Sequence, residues 1–442
     1  MSHQPDRSHN TVHGDSPAAR AVCTDAAHVV LRGTRPETDG GAGHALPGQR
    51  GTGMTVADDQ TTSPVEDADA PHRVLLDSGW STAWQPGAVA EEHTGADRIR
   101  ALAASGYAAL PIPADFGGGG AGLVEVASAQ RALGMVDPSA AIALNMHAFT
   151  VGLMTDYWKR HRDTSWMLLE GIARSGALVA SAFAEPGGSP NFLSSRSEAV
   201  QTPKGYRVSG VKYPCSLAST ATLVCLTARV TGTEETILAL CPSSSPGLTV
   251  EGEWPSLGMR QSDTAKLVLH DVELDDRLVF HRGPADVIDD NVISGMVWFA
   301  VLLSATYHGV LSGLLDLAHR GVVRADAHGP RTALLGRATR ELLTLGGACR
   351  QLGADVESGA IAGRAALAAA VALRATLSDT RDRVLSAVTP VLGSRLYGRG
   401  QRAADLLVDS LAVHHHPPSL LMCDEVVGAF CTGREISFDP AG

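Results

Sequence analysis

The order of secondary-structure patterns along the chain constrains its fold more than any other feature. From about 73 to 176, apolar residues recur at helical spacing. Between 177 and 285 the pattern changes to short β-branched runs separated by Gly, Pro, Ser and Asp turns. Across 286–442 the helical period returns, with long Ala/Leu/Arg-rich runs at 334–352 and 362–388. Because such blocks are not typical of alternating α/β folds, the sequence predicts a multidomain α+β fold: an N-terminal helical domain, a middle antiparallel β domain and a C-terminal helical bundle.

The first 72 residues differ in composition from the rest of the chain. They are rich in Gly, Ser, Thr, Asp, Pro and His and contain one short apolar patch at 29–31. Such a segment cannot bury enough apolar surface to offset its ordering entropy. We therefore predict a disordered N-terminal extension over 1–72. A start at Met54 and a genuine flexible tail are both open.

Charge and cysteine content narrow the class of protein. The formal net charge of −11 argues against an electrostatic nucleic-acid binder, which needs a basic face. The N-terminal residues lack the apolar segment of a secretory signal. We expect no charge-free apolar stretch of the roughly 18 residues that span a bilayer, and no membrane partner. The seven cysteines form no CxxC pair and are odd in number, which argues against a disulfide framework or a thiolate metal site. We expect a cytoplasmic protein without a metal.

Four segments together indicate a family. They are GYAALPIPADFGG at 106–118, SAFAEPGGS at 181–189, KGYRVSGVK at 204–212 and the stretch at 247–272 that contains LGMR. In this order and spacing they resemble the connector, the flavin loop, the following hairpin and the end of the β domain in the acyl-CoA dehydrogenase superfamily. The resemblance covers roughly 96–436 and implies that family's fold.

The resemblance also implies a flavin cofactor. In the family, backbone amides and hydroxyls of the flavin loop contact the flavin, and glycines allow a close approach. We expect FAD, or alternatively reduced FMN or FADH2 supplied by a separate reductase. The loop is one residue shorter than usual and has Ala184 in place of a threonine, so a plain surface turn is the other interpretation. The residues that match cofactor contacts are Glu185, Gly187, Gly188, Ser189, Ser216 and Arg324.

The position of the family's catalytic base is changed in this sequence. Family dehydrogenases remove an acyl α-proton with a glutamate, which must lie within hydrogen-bond reach of the carbon acid. Aligned on 408–410, that position holds Pro417, and the alternative segment at 296–301 contains no acid. His416 precedes Pro417, and some monooxygenases of the superfamily that bind reduced flavin carry a histidine at the position that His416 occupies. Because imidazole titrates near neutrality, we predict His416 as the catalytic residue.

Three functions therefore stay open. We favour a flavin monooxygenase acting on a small metabolite over an acyl-CoA or acyl-carrier-protein dehydrogenase, and we keep a non-catalytic binding paralogue as the third. We expect the substrate between the β domain and the bundle, against Trp298, Phe299 and Tyr307. The resemblance further implies a homodimer or homotetramer.

Overall fold

The computed structural model describes five stretches of the chain. They are residues 70–87, 95–187, 194–284, 287–325 and 328–438. The predicted disordered extension and Met54 lie outside the described residues, apart from positions 70–72. The first helix begins at Pro71, two residues before the predicted start of the helical domain.

The N-terminal part is helical, as predicted. Its helices are α1 (Pro71–Asp77), α2 (Gly95–Ala104), α3 (Leu123–Val136), α4 (Pro138–His161) and α5 (Trp166–Ser175). Helix α4 begins after Asp137, whose carboxylate accepts the Ala140 amide at 3.0 Å and caps the helix. Its residues from Ala140 to Thr155 are almost all buried, so α4 is a central element and can supply one wall of a site.

The middle part is one eight-stranded sheet. Its strands are β1 (Val179–Ala182), β2 (Glu198–Thr202), β3 (Gly205–Cys215), β4 (Leu223–Val230), β5 (Glu235–Pro242), β6 (Leu248–Glu251), β7 (Ala265–Asp275) and β8 (Val279–Pro284). The spatial order is β6-β7-β3-β2-β4-β5-β8, and β1 pairs with β4. Most pairs are antiparallel, as predicted, but β1 and β2 each run parallel to β4. The β-branched runs at 196–200, 206–211, 222–230, 236–240 and 266–269 predict β2, β3, β4, β5 and β7, whereas β1, β6 and β8 were not predicted.

The C-terminal part is the predicted helical bundle. Its helices are α6 (Asp290–Arg324), α7 (Pro330–Glu357), α8 (Gly363–Leu392), α9 (Arg402–Leu411) and α10 (Leu420–Cys431). Helix α6 packs closely on α3: a Cβ built on Gly309 would lie 2.1 Å from the Arg131 carbonyl oxygen, and one on Gly134 would lie 2.3 Å from that of Thr306. Glycine at both positions therefore allows the two helices to approach closely and joins the N-terminal helices to the bundle.

Helix α6 contains a long apolar stretch without charged side chains. Residues 291–315 contain no Asp, Glu, Lys or Arg, a stretch that our expectation of no membrane segment overlooked. By length and composition alone α6 could cross a membrane, but 89% of its apolar window is buried inside the protein. A helix surrounded by other elements is apolar around its whole girth, and this burial accounts for the composition.

Candidate active site

A cavity of about 230 Å³ lies where α4, the sheet and the C-terminal bundle meet. This is the place where the substrate was expected, between the β domain and the bundle. Most of its lining is apolar, with a few hydroxyl, amide and imidazole groups, as in ligand pockets generally. The main lining residues are Ile142, Met146, Phe149, Leu153, Ser181, Phe183, Pro214, Ser216, Leu238, His281, Asn291, Met296, Phe299, His415, His416, Pro417, Met422 and Phe438.

Histidine is the only ionisable residue type in the described lining of this cavity. Among the described residues that line it, none is Asp, Glu, Lys or Arg. Pro417, at the aligned glutamate position, forms part of the wall. A carboxylate that could remove a substrate proton is thus missing from the described lining. Likewise, no group of three or more His, Cys, Asp or Glu that could hold a metal occurs within the described stretches.

His416 lies in the turn after α9 and lines the cavity. Its Nε2 lies 2.9 Å from the Tyr307 hydroxyl oxygen, and its ring packs edge-on to Phe299 with centroids 6.4 Å apart. Burial, with the nearby charge of Arg374, lowers the pKa of His416 to about 3. Burial also raises the pKa of Tyr307 far above its usual value, so the phenol keeps its proton. At neutral pH the pair is a neutral imidazole beside a neutral phenol.

Arg374 holds the turn that carries His416. This side chain of α8 is 1% exposed, and its Nη2 donates to the carbonyl oxygens of Val413 and His416, each at 2.7 Å. Its Nη1 donates to the Ser378 hydroxyl at 2.7 Å. No carboxylate pairs with it in the part of the chain that the structure describes. Arg374 therefore both fixes the backbone of His416 and disfavours a second positive charge there.

Glu185, which the resemblance assigns to the cofactor, has a different use in this structure. Its carboxylate is 4% exposed and accepts five hydrogen bonds, from the Lys212 ammonium at 2.6 Å, the Ser195 hydroxyl, the Arg196 amide, and the amide and hydroxyl of Ser197. With its acceptor capacity used in this way, the side chain holds the loop against β2 and β3, and a contact between Glu185 and the flavin stays a prediction.

Of the remaining predicted loop residues, the structure describes only Gly187. Gly187 adopts a positive φ of 81°, and a Cβ there would lie 2.9 Å from Arg196 Nη1, so the turn itself requires glycine. Gly188 and Ser189 lie outside the described residues. Contacts of these three residues with a flavin stay predictions.

Two hydroxyls line the sheet side of the cavity. Ser216, which was predicted, lies after β3, and its Oγ is 2.9 Å from Thr264 Oγ1. Ser181, on β1, donates to the Met146 carbonyl oxygen at 2.7 Å. Ser181 was within the recognised flavin-loop segment but was not singled out, and its place before the Glu-Pro-Gly turn was the available signal.

The three residues of α6 that were expected to contact substrate lie in different surroundings. Phe299 lines the cavity, and Tyr307 lies behind His416, fully buried. Trp298 points elsewhere: its indole nitrogen donates to Asp156 Oδ2 at 2.8 Å, and its ring packs against Gly152. Successive helical residues differ in direction by about 100°, so Trp298 and Phe299 do not share a face; Trp298 has a packing role here, and its contact with substrate stays a prediction.

Arg324 is far from the cavity. It is the exposed last residue of α6, about 37 Å along the helix axis from Phe299 at the usual rise per residue. The family contact that it matches is to a flavin in a neighbouring subunit, so its assignment stays a prediction.

Comparisons with known proteins agree with this arrangement. Residues 82–157 match the acyl-CoA dehydrogenase N-terminal domain, and residues 180–272 match the acyl-CoA dehydrogenase middle domain. The chain is 30% identical over 342 residues to isobutylamine N-hydroxylase of Streptomyces viridifaciens, covering 74% of this chain and 87% of that protein. It is 28% identical to the amino sugar nitrososynthase DnmZ of Streptomyces peucetius over 51% of this chain and 56% of that one.

A solved structure shows the same fold. KijD3 in complex with FMN and dTDP-3-amino-2,3,6-trideoxy-4-keto-3-methyl-D-glucose superposes with a TM-score of 0.70 at 23% identity. The superposition covers 84% of this chain and 93% of KijD3.

Proposed function

The chain belongs to the acyl-CoA dehydrogenase superfamily, and we propose that it is a flavin-dependent monooxygenase that hydroxylates the nitrogen of a small apolar primary amine. It is a flavin-dependent oxidoreductase, as predicted. The observation that supports the monooxygenase over the dehydrogenase is the cavity lining, in which His416 is present and a carboxylate base is missing among the described residues. A dehydrogenase needs such a base for the acyl α-proton.

The cavity fits a flavin ring. Phe149, Phe183 and Phe299 offer apolar surface to the benzenoid part, and the hydroxyls of Ser181 and Ser216 offer hydrogen bonds to the polar edge. When bound in its reduced form, the flavin would supply the electrons for activating oxygen. Since the KijD3 structure contains FMN, we propose that the cofactor is either FAD or reduced FMN.

The protein's own residues would supply orientation and hydrogen bonds. His416, a neutral imidazole at neutral pH, would offer a hydrogen bond to the reacting groups without holding a positive charge, and the Tyr307 hydroxyl orients its ring through the 2.9 Å contact at Nε2. Arg374 keeps the turn in place through the two carbonyl oxygens. The apolar walls would exclude water, which protects reactive oxygen species from wasteful decay.

The substrate class follows from a relative and from the lining together. A protein 30% identical to this chain is an isobutylamine N-hydroxylase. Without a described Lys or Arg in its lining, the cavity offers nothing to the phosphates of a sugar nucleotide, whereas it offers much apolar surface to an alkyl chain. We therefore favour an aliphatic amine over an amino sugar. A separate flavin reductase, a homo-oligomer and a cytoplasmic location belong to the same proposal.

The test is a coupled assay with the full chain. Reduced FMN or FAD from a flavin reductase is supplied under isotopically labelled oxygen gas with isobutylamine, and the hydroxylamine is detected by mass spectrometry. We expect labelled hydroxylamine, and in His416→Gln a loss on the order of 10²-fold or more. His414→Gln is the matched control, since His414 lies on the same turn and its side chain is 31% exposed.

Two results would overturn the proposal. The first is bleaching of bound flavin by an acyl-CoA thioester without oxygen, which would establish a dehydrogenase. The second is failure to bind either oxidised or reduced flavin, which would favour the binding paralogue.

A further inference from the structure

Another histidine of the lining, His281 on β8, is paired with a carboxylate. Its Nδ1 lies 2.9 Å from Asp289 Oδ2, and its side chain is 9% exposed. Because an ionised carboxylate only accepts hydrogen bonds, Nδ1 carries the proton and Nε2 has the free lone pair. Asp289 orients the ring in the way that a carboxylate orients a catalytic imidazole.

The carboxylate of this pair is itself fixed. Asp289 is the N-cap of α6, and its Oδ1 accepts the amides of Asn291 and Val292 at 3.0 and 2.9 Å. Although burial alone would raise the pKa of Asp289, the hydrogen bonds from His281 and from these amides lower it. Asp289 is therefore an ionised, immobile partner for His281.

The other nitrogen of His281 is unsatisfied. Within the described stretches, Nε2 is buried and has no hydrogen-bond partner. Buried polar atoms are usually paired, so an unpaired one in a cavity-lining ring indicates a ligand group or water as its partner. His281 thus combines a fixed tautomer, an unpaired lone pair and a position in the cavity wall.

His281 and His416 contact residues at different points along α6. His281 lies beside the first turn of α6 through Asp289, whereas His416 contacts Phe299 and Tyr307 farther along the helix. Asn291 and Phe299, both in the lining, are about 12 Å apart along the helix axis. The two imidazoles can therefore serve two different groups.

An amine substrate needs a proton acceptor. Alkylammonium groups titrate near the lysine value of about 10.4, so the amine arrives protonated, and only its neutral form has the lone pair that attacks oxygen. Burial in apolar surroundings disfavours the ammonium, by as much as three to five pKa units for a fully buried lysine. The described lining offers the ammonium no carboxylate as a counter-ion. When the proton moves to His281, the positive charge lies beside Asp289.

We propose that His281, oriented by Asp289, is the base that deprotonates the substrate ammonium. One N–H bond of the ammonium breaks, its electron pair stays on the amine nitrogen, and the proton binds Nε2. The resulting imidazolium is neutralised by Asp289. This inference rests on the proposed amine N-hydroxylation.

The test compares two amines of different basicity. Isobutylamine is protonated at neutral pH, whereas 2,2,2-trifluoroethylamine is largely neutral and does not need the base. We expect His281→Gln to lower kcat/KM on the order of 10²-fold for isobutylamine and less than about threefold for trifluoroethylamine. A merely structural defect would lower both by the same factor.

Two further variants keep the test independent of folding. Asp289→Asn removes the charge but retains a good N-cap for α6, and it should show the same substrate-dependent loss. His270→Gln is the matched control, because His270 lies 3.8 Å from Asp271 in a similar pair but its side chain is 86% exposed on β7. It should leave both amines unaffected.

A flavin-free readout completes the experiment. In protein labelled at the histidine rings, the His281 signal, assigned by its loss in His281→Gln, should move to the imidazolium position on adding isobutylamine and stay unchanged with trifluoroethylamine. An equal loss for both amines, or no shift with isobutylamine, would refute the role of His281. Failure of the wild-type enzyme to hydroxylate either amine would instead refute the proposed function.

Discussion

The buried pair of Glu185 and Lys212 gives the sharpest stability prediction. Both side chains are almost completely inaccessible, at 2% and 0%, and their charged atoms are 2.6 Å apart. Replacing Glu185 by Gln keeps the shape but leaves the ammonium buried without a counter-charge. Breaking a buried pair from one side costs about 3–5 kcal/mol, and we expect that loss in the free energy of unfolding.

The pH dependence gives a second test of this pair. Burial alone would raise the pKa of Glu185, but the hydrogen bond and charge of Lys212 lower it from 4.5 to about 2. Because the folded-state pKa is the lower one, the stability that the pair contributes is present above pH 4.5 and is lost as the pH falls toward 2.

The assay is urea unfolding followed by circular dichroism at several pH values. Glu198→Gln is the matched control, since its partner Arg229 lies at 2.8 Å but both side chains are about half exposed, and such surface pairs contribute about 0–1 kcal/mol. The double variant Glu185→Gln/Lys212→Met should be more stable than Glu185→Gln alone. A loss below about 1 kcal/mol in Glu185→Gln, or a double variant no better than the single one, would contradict this reasoning.

Two further substitutions test the surroundings of the cavity. Tyr307→Phe removes the hydroxyl beside His416, and we expect the yield of hydroxylamine per flavin oxidised to fall on the order of tenfold, because a misplaced catalytic group costs up to about a hundredfold. Gly152→Ala would place a Cβ 2.4 Å from the Trp298 ring and should lower the free energy of unfolding in urea by about 1–3 kcal/mol. Gly347→Ala is its control, because among the described residues a Cβ there meets no atom from outside its own helical turn within 4 Å, and it should stabilise slightly. Unchanged yield in the first case, or equal stability of the two alanine variants, would count against these assignments.

The order of helical and β regions was predictable because short-range sequence patterns determine it. Hydrophobic period and turn residues distinguish helix from strand over short windows. The run at 334–352 lies within α7, and the run at 362–388 begins one residue before α8 and otherwise lies within it. Strands β1 and β6 have four residues each, too short for alternation to show. The charge-free stretch of α6 is visible in the sequence and was overlooked. Its burial by neighbouring elements, in contrast, cannot be read from the helix alone.

The site was predictable in position but not in orientation. A motif can place Glu185 in the flavin loop, yet whether its carboxylate faces the cofactor or Lys212 depends on strands that are distant in sequence. Trp298 and Phe299 are adjacent in the chain, and only the packed helix shows which of them faces the cavity. His281 was missed because β8 was not predicted and its partner is eight residues farther along the chain.

The distribution of charge around the cavity links these findings to a choice of chemistry. Burial, together with the positive charge of Arg374, keeps the His416 imidazole neutral, whereas Asp289 provides a negative partner for His281. The two histidines therefore have different electrostatic surroundings. An acyl thioester gains nothing from this polarity, because its α-proton needs a single carboxylate beside the reacting carbon. An ammonium that must lose a proton before its nitrogen reacts does gain from it, and this difference is the physical reason to favour amine hydroxylation.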